Sequence, residues 1–252
     1  MTVTLYSLSL SHPSQAARLM LELKGIDHEV NDLLPGFHPP LLRLAGFRGD
    51  TVPALRVDGR RVQGSLAISR ELDRLRPEPP LFPSDPERRQ AVEEAEAWGE
   101  RYLQPVPRRI FRWAVSRNKH LRVWMARDVV RMPAPGVMAA LNAPIARHFA
   151  RKAHASDEQV CADIAHLPVM LDHVDELISD GTVGDEQPNA ADFQIGTAVR
   201  VLLAFDDLAP LFDGRPAAEL AGRILPAYPG PIPRVLPPEW LATAGISGAV
   251  KV

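Results

Sequence analysis

Ser11-His12-Pro13-Ser14-Gln15-Ala16 is the stretch that decides the fold. Before it stands a short apolar run, Val3-Thr4-Leu5-Tyr6. After it come Ala17-Arg18-Leu19-Met20-Leu21-Glu22-Leu23-Lys24, closed by Gly25. β-Branched and aromatic residues, then a Ser–Pro turn, then apolar residues at helical spacing predict strand, tight turn and helix. Ala17, Leu19, Met20 and Leu23 are the expected contacts of that helix, and Gly25 is its stop signal. A hydroxyl at such a turn sits where unpaired N–H groups and the helix dipole favour an anion.

Outward from this turn the alternation continues. Residues 28–33 read as a second strand, and the Pro- and Gly-rich residues 35–50 as a connecting stretch. Val52-Pro53-Ala54-Leu55-Arg56-Val57 and Arg61-Val62-Gln63 flank Asp58-Gly59, a strong hairpin signal. Residues 65–75 predict a helix with Leu66, Ile68, Leu72 and Leu75 as its apolar positions. From Pro77 to Asp85 the composition is that of a linker.

Beyond the linker no strand pattern is found. Val92, Ala95, Trp98 and Tyr102 recur at helical spacing opposite Glu93, Glu94, Glu96 and Glu100, and Pro105 and Pro107 kink or end that helix. Further helices are expected over 121–130, 137–152, 160–178, 193–205 and 217–225. Residues 193–205 are apolar on nearly every side, as in a buried helix. The expected organisation is an α/β domain over 1–78, a linker over 79–86, an all-helical domain over 87–228 and a Pro-rich tail over 229–252. The tail is expected to wrap on the surface or fray.

A formal net charge of -2 argues against nucleic acid as the main partner. The single cysteine, Cys161, forbids an intrachain disulfide and fits a reducing cytoplasm. It lies in an apolar stripe and reads as a core residue. Neither a leader pattern nor an apolar run of membrane-spanning length is present, so no membrane is expected. His166 and His173, with Asp172 between, make a poor metal site, and no metal is expected.

At this point the chain resembles the glutathione transferase superfamily, over residues 1–225. Four pieces carry the likeness. Ser11-His12-Pro13-Ser14-Gln15-Ala16 looks like the active-site turn of the serine-type classes, theta and zeta. Val52-Pro53-Ala54-Leu55 is similar to the family's cis-proline motif. Gly64-Ser65-Leu66-Ala67-Ile68 resembles its Glu/Asp-Ser-x-Ala-Ile. Residues 184–193, Gly-Asp-Glu-Gln-Pro-Asn-Ala-Ala-Asp-Phe, resemble the stretch before the buried helix, with Asn189 and Asp192 as an N-capping box. The resemblance implies a thioredoxin-like α/β N-terminal domain followed by an all-α domain. Ser11 and Ser14 stand where a thioredoxin-like fold carries its Cys-x-x-Cys pair, so thiolate handling is retained and the redox couple is not.

The resemblance also implies a site. Ser11 matches the serine that donates to the sulfur of glutathione and favours the thiolate; Ser14, one turn on, is the second candidate. Each also reads as a plain turn or cap serine. Val52, ahead of a cis Pro53, would pair its backbone with the bound tripeptide as an added strand. Ser65 would hold a ligand carboxylate at a helix start, or serve only as a cap. Gly36-Phe37-His38 resembles a theta-class Gly-x-His, giving His38 as a ligand contact or a solvated loop histidine.

Gly64 departs from the pattern, because the family usually carries an acid there for the ligand's amino group. Gln63 offers one hydrogen bond and no charge. Arg108, Arg109, Arg112 and Arg117 either line a site for an anionic substrate or form a solvated face paired with the Glu93–Glu96 run. The expected function is conjugation of glutathione, or another small thiol, to a small hydrophobic electrophile by a cytoplasmic homodimer. A zeta-like thiol-dependent isomerase and a non-catalytic binding protein are the alternatives.

Overall fold

The computed structural model describes residues 1–226, 228 and 230–246. The chain resolves into two compact units. The first takes Met1–Gln104 with Glu176–Ala198 and Glu219–Pro226; the second takes Pro105–Asp175, Val199–Ala218 and the segment after Pro226.

The first unit is built on a four-stranded sheet: β1 (Val3–Ser7), β2 (Glu29–Asp32), β3 (Ala54–Val57) and β4 (Arg60–Gln63), in the order β2-β1-β3-β4. β1 runs parallel to β2 and antiparallel to β3, and β3 and β4 form the hairpin expected around Asp58-Gly59. Both turn residues have positive φ, 45° and 87°, the backbone that a two-residue hairpin of right-handed twist requires. Every residue of β1 is buried, as a central strand demands, whereas all four of the edge strand β2 are exposed. This is the expected thioredoxin-like arrangement.

Helix α1 (His12–Leu23) buries Ala16, Ala17, Met20 and Leu21; of the expected contacts Leu19 and Leu23 are only half-buried. Helix α2 (His38–Leu44) lies in the stretch read as irregular. Its prolines, Pro39 and Pro40, fall in the first turn, where no intrahelical N–H bond is lost. Leu42 of α2 joins Tyr6, Leu33, Phe47 and Ala54 in one core cluster, with Val52 packed against it. Tyr6 and Phe47 meet edge to face at 5.3 Å.

α3 (Ser65–Leu75) has the predicted bounds and buries Ile68 and Leu72. α4 (Pro86–Trp98) is capped by the Asp85 carboxylate, which accepts from the Arg88 N–H, and continues as a π-helical turn, Gly99–Leu103. The linker is pinned at its start. Buried Lys24 donates to Asp73 (2.7 Å) and to the carbonyls of Pro77 (3.2 Å) and Pro79 (2.6 Å).

In the second unit α5 (Pro105–Arg117) begins at the proline read as a kink, again in a first turn. α6 (Lys119–Trp124), extended by the π turn Met125–Val129, and α7 (Pro135–Lys152) pack with it. Arg122 donates to the carbonyls of Val115 and Ser116, in the last turn of α5, and to that of Ala139. A cation there satisfies end carbonyls and complements the helix dipole.

α8 (Asp157–Ser179), α9 (Ala190–Leu203) and α10 (Pro216–Ile224) follow the predicted helices. The capping box at α9 forms. The Asn189 side-chain oxygen accepts from the N–H groups of Ala191 and Asp192, and Asp192 accepts from the N–H of Asn189 (2.8 Å) and of Gly184 (2.7 Å). Burial pushes the Asp192 carboxyl up to about 6, against those two N–H groups.

The described part of the tail wraps. Asp207 accepts from the N–H groups of Val235 (2.6 Å) and Leu236 (2.9 Å), and Ile232 bridges Phe205. A short helix, α11 (Pro238–Thr243), sets the Trp240 ring 4.9 Å from that of Trp113. Residues 227, 229 and 247–252 of the expected tail lie outside the described residues. Beyond β4 the described residues hold no strand apart from that single bridge. No helix among them is long and apolar enough to cross a membrane.

Candidate active site

Strand register gathers the predicted site residues at one end of the sheet. Tyr6 stands opposite Ala54, Ala54 opposite Gln63, and Ser7 beside Asp32. The segments leaving or entering the strands there are the turn to Ser11, the Val52-Pro53 pair, the Gly64-Ser65 step and the connection to His38. A parallel β1–β2 pair with two antiparallel neighbours places these four connections at the same edge.

Ser11 is the N-cap residue of α1, with extended φ −82° and ψ 107°, yet its side chain makes no capping hydrogen bond. Its N–H donates to the Leu8 carbonyl and its own carbonyl accepts from the Gln15 N–H. The backbone therefore closes the turn and leaves the hydroxyl out of the helix start. Ser14 is fully buried, and its Oγ meets no hydrogen-bond partner among the described residues. Within one turn, the two serines differ: Ser11 is half-exposed and Ser14 is enclosed.

The Val52–Pro53 peptide is cis. Among the described residues neither the N–H nor the carbonyl of Val52 is engaged by backbone or side chain, while the Pro53 carbonyl accepts from the Gly64 N–H at 2.9 Å. An extended peptide needs an open N–H and C=O of this kind to add as a strand. The carboxamide of Gln63 faces inward on this segment: its oxygen accepts from the Gly49 N–H (3.0 Å) and its nitrogen donates to the Thr51 carbonyl (2.7 Å). Gln63 thus positions the strand-entry loop, a job that the sequence did not suggest.

Gly64 has φ +93°, and a Cβ placed on it would meet nothing within 4 Å. Space is therefore not what requires glycine; the backbone is. Gly64→Ala is expected to lower stability by about 1–3 kcal/mol through backbone strain alone. Denaturant unfolding checks this, and an unchanged midpoint would mean that φ relaxes without cost.

Ser65 is buried at the first position of α3, and its hydroxyl donates to Glu100 at 3.0 Å. One turn along, Ser69 donates to Glu96 at 2.7 Å. Ser65 and Ser69 on α3 thus face Glu100 and Glu96, the second pair being an antiparallel i, i+4 match to the first. Glu96 also pairs with Arg70. Burial still raises its carboxyl above the ordinary value, against Arg70 and Ser69. Glu100 lies in the π turn after α4, and Gln104 and Gln194 direct their amide nitrogens at it as well. Gly99 allows this approach, since a Cβ there would stand 3.1 Å from the Gln194 and Ile195 side chains. Sequence reasoning treated Glu100 only as one of a charged helix face; the signal available was the matched four-residue spacing of Ser65, Ser69 and Glu96, Glu100.

His38 opens α2 and is buried, so the reading as a solvated loop histidine does not hold. The basic cluster is not paired with the Glu93–Glu96 run. Arg109 forms a two-pronged bridge to Asp163 (2.5 and 2.6 Å), and Arg117 pairs with Asp157. Glu93 pairs with Arg89 instead. The i, i+4 neighbour on the same helix is nearer than a distant arginine. Cys161 is partly exposed on α8 rather than enclosed in the core.

Residues 5–80 match the family described as glutathione S-transferase, N-terminal domain. Maleylacetoacetate isomerase of Rattus norvegicus is 39% identical over 94 residues, covering 35% of this chain and 43% of that protein. The chain thus matches less than half the length of this curated relative. Among solved structures, a beta-etherase from Sphingobium sp. strain SYK-6 superposes with a TM-score of 0.61 at 20% identity, over 88% of this chain and 99% of its own. A glutathione S-transferase from Rhodospirillum rubrum F11 gives 0.57 at 19%, over 96% and 99%. At such identities the structural likeness is one of fold. Residues 5–80 thus match the glutathione S-transferase N-terminal domain, and the chain shares the fold of solved glutathione S-transferases.

Proposed function

We propose that the chain is a glutathione-dependent enzyme in which the Ser11 hydroxyl holds the ligand sulfur as a thiolate for attack on a small electrophile. The observation that carries this reading is the N-cap serine whose side chain does not cap its helix. That hydroxyl sits at the same sheet edge as the open backbone of Val52. The tripeptide would pair with Val52 beside Pro53 and bring its cysteine toward the start of α1. Its γ-glutamyl carboxylate would lie at the start of α3, on the N–H groups of Ser65 and Leu66. Lowering a thiol pKa by about two units requires roughly 2.7 kcal/mol of preference for the thiolate. A hydroxyl donor and a helix N-terminus are suited to supply it.

In this reading His38 is a further contact and Ser14, one turn on, is the second candidate for the sulfur. Residues 1–78 form the thiol-binding domain of a cytoplasmic homodimer, and no metal takes part. The isomerase reading is favoured by the likeness to maleylacetoacetate isomerase over 94 residues. There the thiolate adds to a conjugated double bond, the bond rotates and the thiolate leaves.

Calorimetric titration with glutathione, followed by conjugation assays and a cis-to-trans assay on a maleyl-type diacid, tests the proposal. Binding with turnover in either assay is expected, and the assay that responds decides between conjugation and isomerisation. Binding without turnover would make the chain a non-catalytic glutathione-binding protein. No binding would remove the thiol from the account.

A further inference from the structure

α7 inverts the ordinary pattern of burial. Its buried residues are Ala139, Ala146 and Ala150, while Val137 and Leu141 project into solvent at 56% and 64% exposure. Ala140 and Pro144 are exposed beside them, and the spacing of 137, 141 and 144 sets these residues on one helix face. The loop that enters α7 extends the face, because Pro133, Ala134 and Gly136 are exposed as well. From Val129 to Ala146 the sole charged residue is Arg131. A surface helix that packs its alanines inward and turns its larger aliphatic side chains outward has an exposed apolar face to cover.

Cations frame that face. Arg127 and Arg131 precede it, and Arg147, Arg151 and Lys152 follow it, all of them exposed. Between Arg101 and Ser156 the only acid is Asp128, which Arg127 holds through two hydrogen bonds of 2.8 Å. Among the described residues no acid pairs with Arg131, Arg147 or Arg151. The whole chain carries a formal charge of -2, so this excess is local to the segment. An occupant that meets both properties offers negative charge and an apolar boundary together. We infer that the loop before α7 and the exposed face of α7 form a contact for an anionic lipid surface, with Val137 and Leu141 entering the acyl boundary and the flanking arginines meeting the headgroup phosphates. Val137 and Leu141 stand out from the helix and do not line a groove, which suits a headgroup layer better than a bound peptide. Such a helix lies in the interface plane, so the contact needs no spanning segment. The inference is independent of the thiol-binding reading.

Cosedimentation of the full chain with vesicles tests it, equimolar phosphatidylcholine and phosphatidylglycerol being compared with phosphatidylcholine alone. The anionic vesicles are expected to carry the protein down, the neutral ones to leave it in solution, and the bound fraction to fall as salt rises. Arg147→Ala and Arg151→Ala are expected to weaken binding roughly fivefold each, and Leu141→Ser by about as much. Circular dichroism and the melting temperature should not move, because all three side chains are exposed. Val137→Ser is the second variant should Leu141→Ser not fold, with the same expected loss. No binding to the anionic vesicles, or equal binding to the neutral ones, overturns the assignment. Binding that falls with the arginines but is indifferent to both serine variants overturns insertion of the apolar face. Self-association that depends on Leu141, with no vesicle binding, gives the face to a second copy of the chain and overturns the lipid contact.

Discussion

Lys24→Met is expected to lower the free energy of unfolding by about 3–5 kcal/mol, the largest stability effect of any single change considered for this chain. Lys24 is among the largest fully enclosed side chains, and its ammonium is shared by the Asp73 carboxylate and the carbonyls of Pro77 and Pro79. Methionine fills most of the volume but donates nothing. Asp73, whose side chain is 18% exposed, would keep its charge with only the Leu81 N–H to meet it. The two proline carbonyls would lose a charged donor. The cost comes chiefly from the carboxylate left behind, not from the ion pair itself, so a second change that removes the Asp73 charge should recover part of the loss. Arg18→Ala is the comparison, because Arg18 and Glu22 are both about half-exposed. An exposed i, i+4 pair of this kind contributes roughly 0.3–0.5 kcal/mol. Urea unfolding monitored by circular dichroism measures all three variants. If Lys24→Met falls by no more than Arg18→Ala, the buried cluster does not anchor the linker.

Ser11→Ala is expected to reduce turnover at least tenfold, to raise the pKa of bound glutathione by about one to two units, and to leave the melting temperature nearly unchanged. The three results belong together. Removal of an N-cap serine ordinarily costs about 0.5–2 kcal/mol because a helix N–H loses its acceptor. Here the Ser11 hydroxyl accepts no such bond, and the Ser11 N–H and carbonyl close the turn by themselves. Stability should therefore not register the change, while a thiolate held by that hydroxyl should. Thiolate absorbance of the bound ligand followed against pH gives the pKa directly. A large stability loss with unchanged thiol pKa would return Ser11 to a capping role. Unchanged stability, pKa and turnover would transfer the sulfur contact to Ser14 or to the N–H groups of the first turn.

The β1–turn–α1 order, the Asp58-Gly59 hairpin, the bounds of α3 and the cap of α9 could all be read from residue types at short spacing, whereas the cis Val52–Pro53 pair was expected only from the family resemblance. The former depend on neighbours within a few positions, where turn chemistry and periodicity act. The helix over 38–44 was missed because its Pro39-Pro40 pair punctuates a sequence but is harmless in a first turn. Gly64 looked like a deficit in sequence; its φ of +93° shows a backbone that favours glycine.

By itself the sequence determined the α/β start apart from α2, the helical remainder and the serine at the head of α1, because these follow from local sterics and hydrophobic period. Tertiary structure alone decided which polar side chains meet. Gln63 turns onto Gly49 and Thr51, Lys24 onto Asp73 and two carbonyls, and Glu100 onto Ser65, Gln104 and Gln194. Apart from Gln104, these partners stand 12 to 94 residues away along the chain. Which of them pair is set by helix packing and strand register, which are properties of the folded chain; the matched spacing of Ser65, Ser69 and Glu96, Glu100 becomes meaningful only once α3 and α4 pack together.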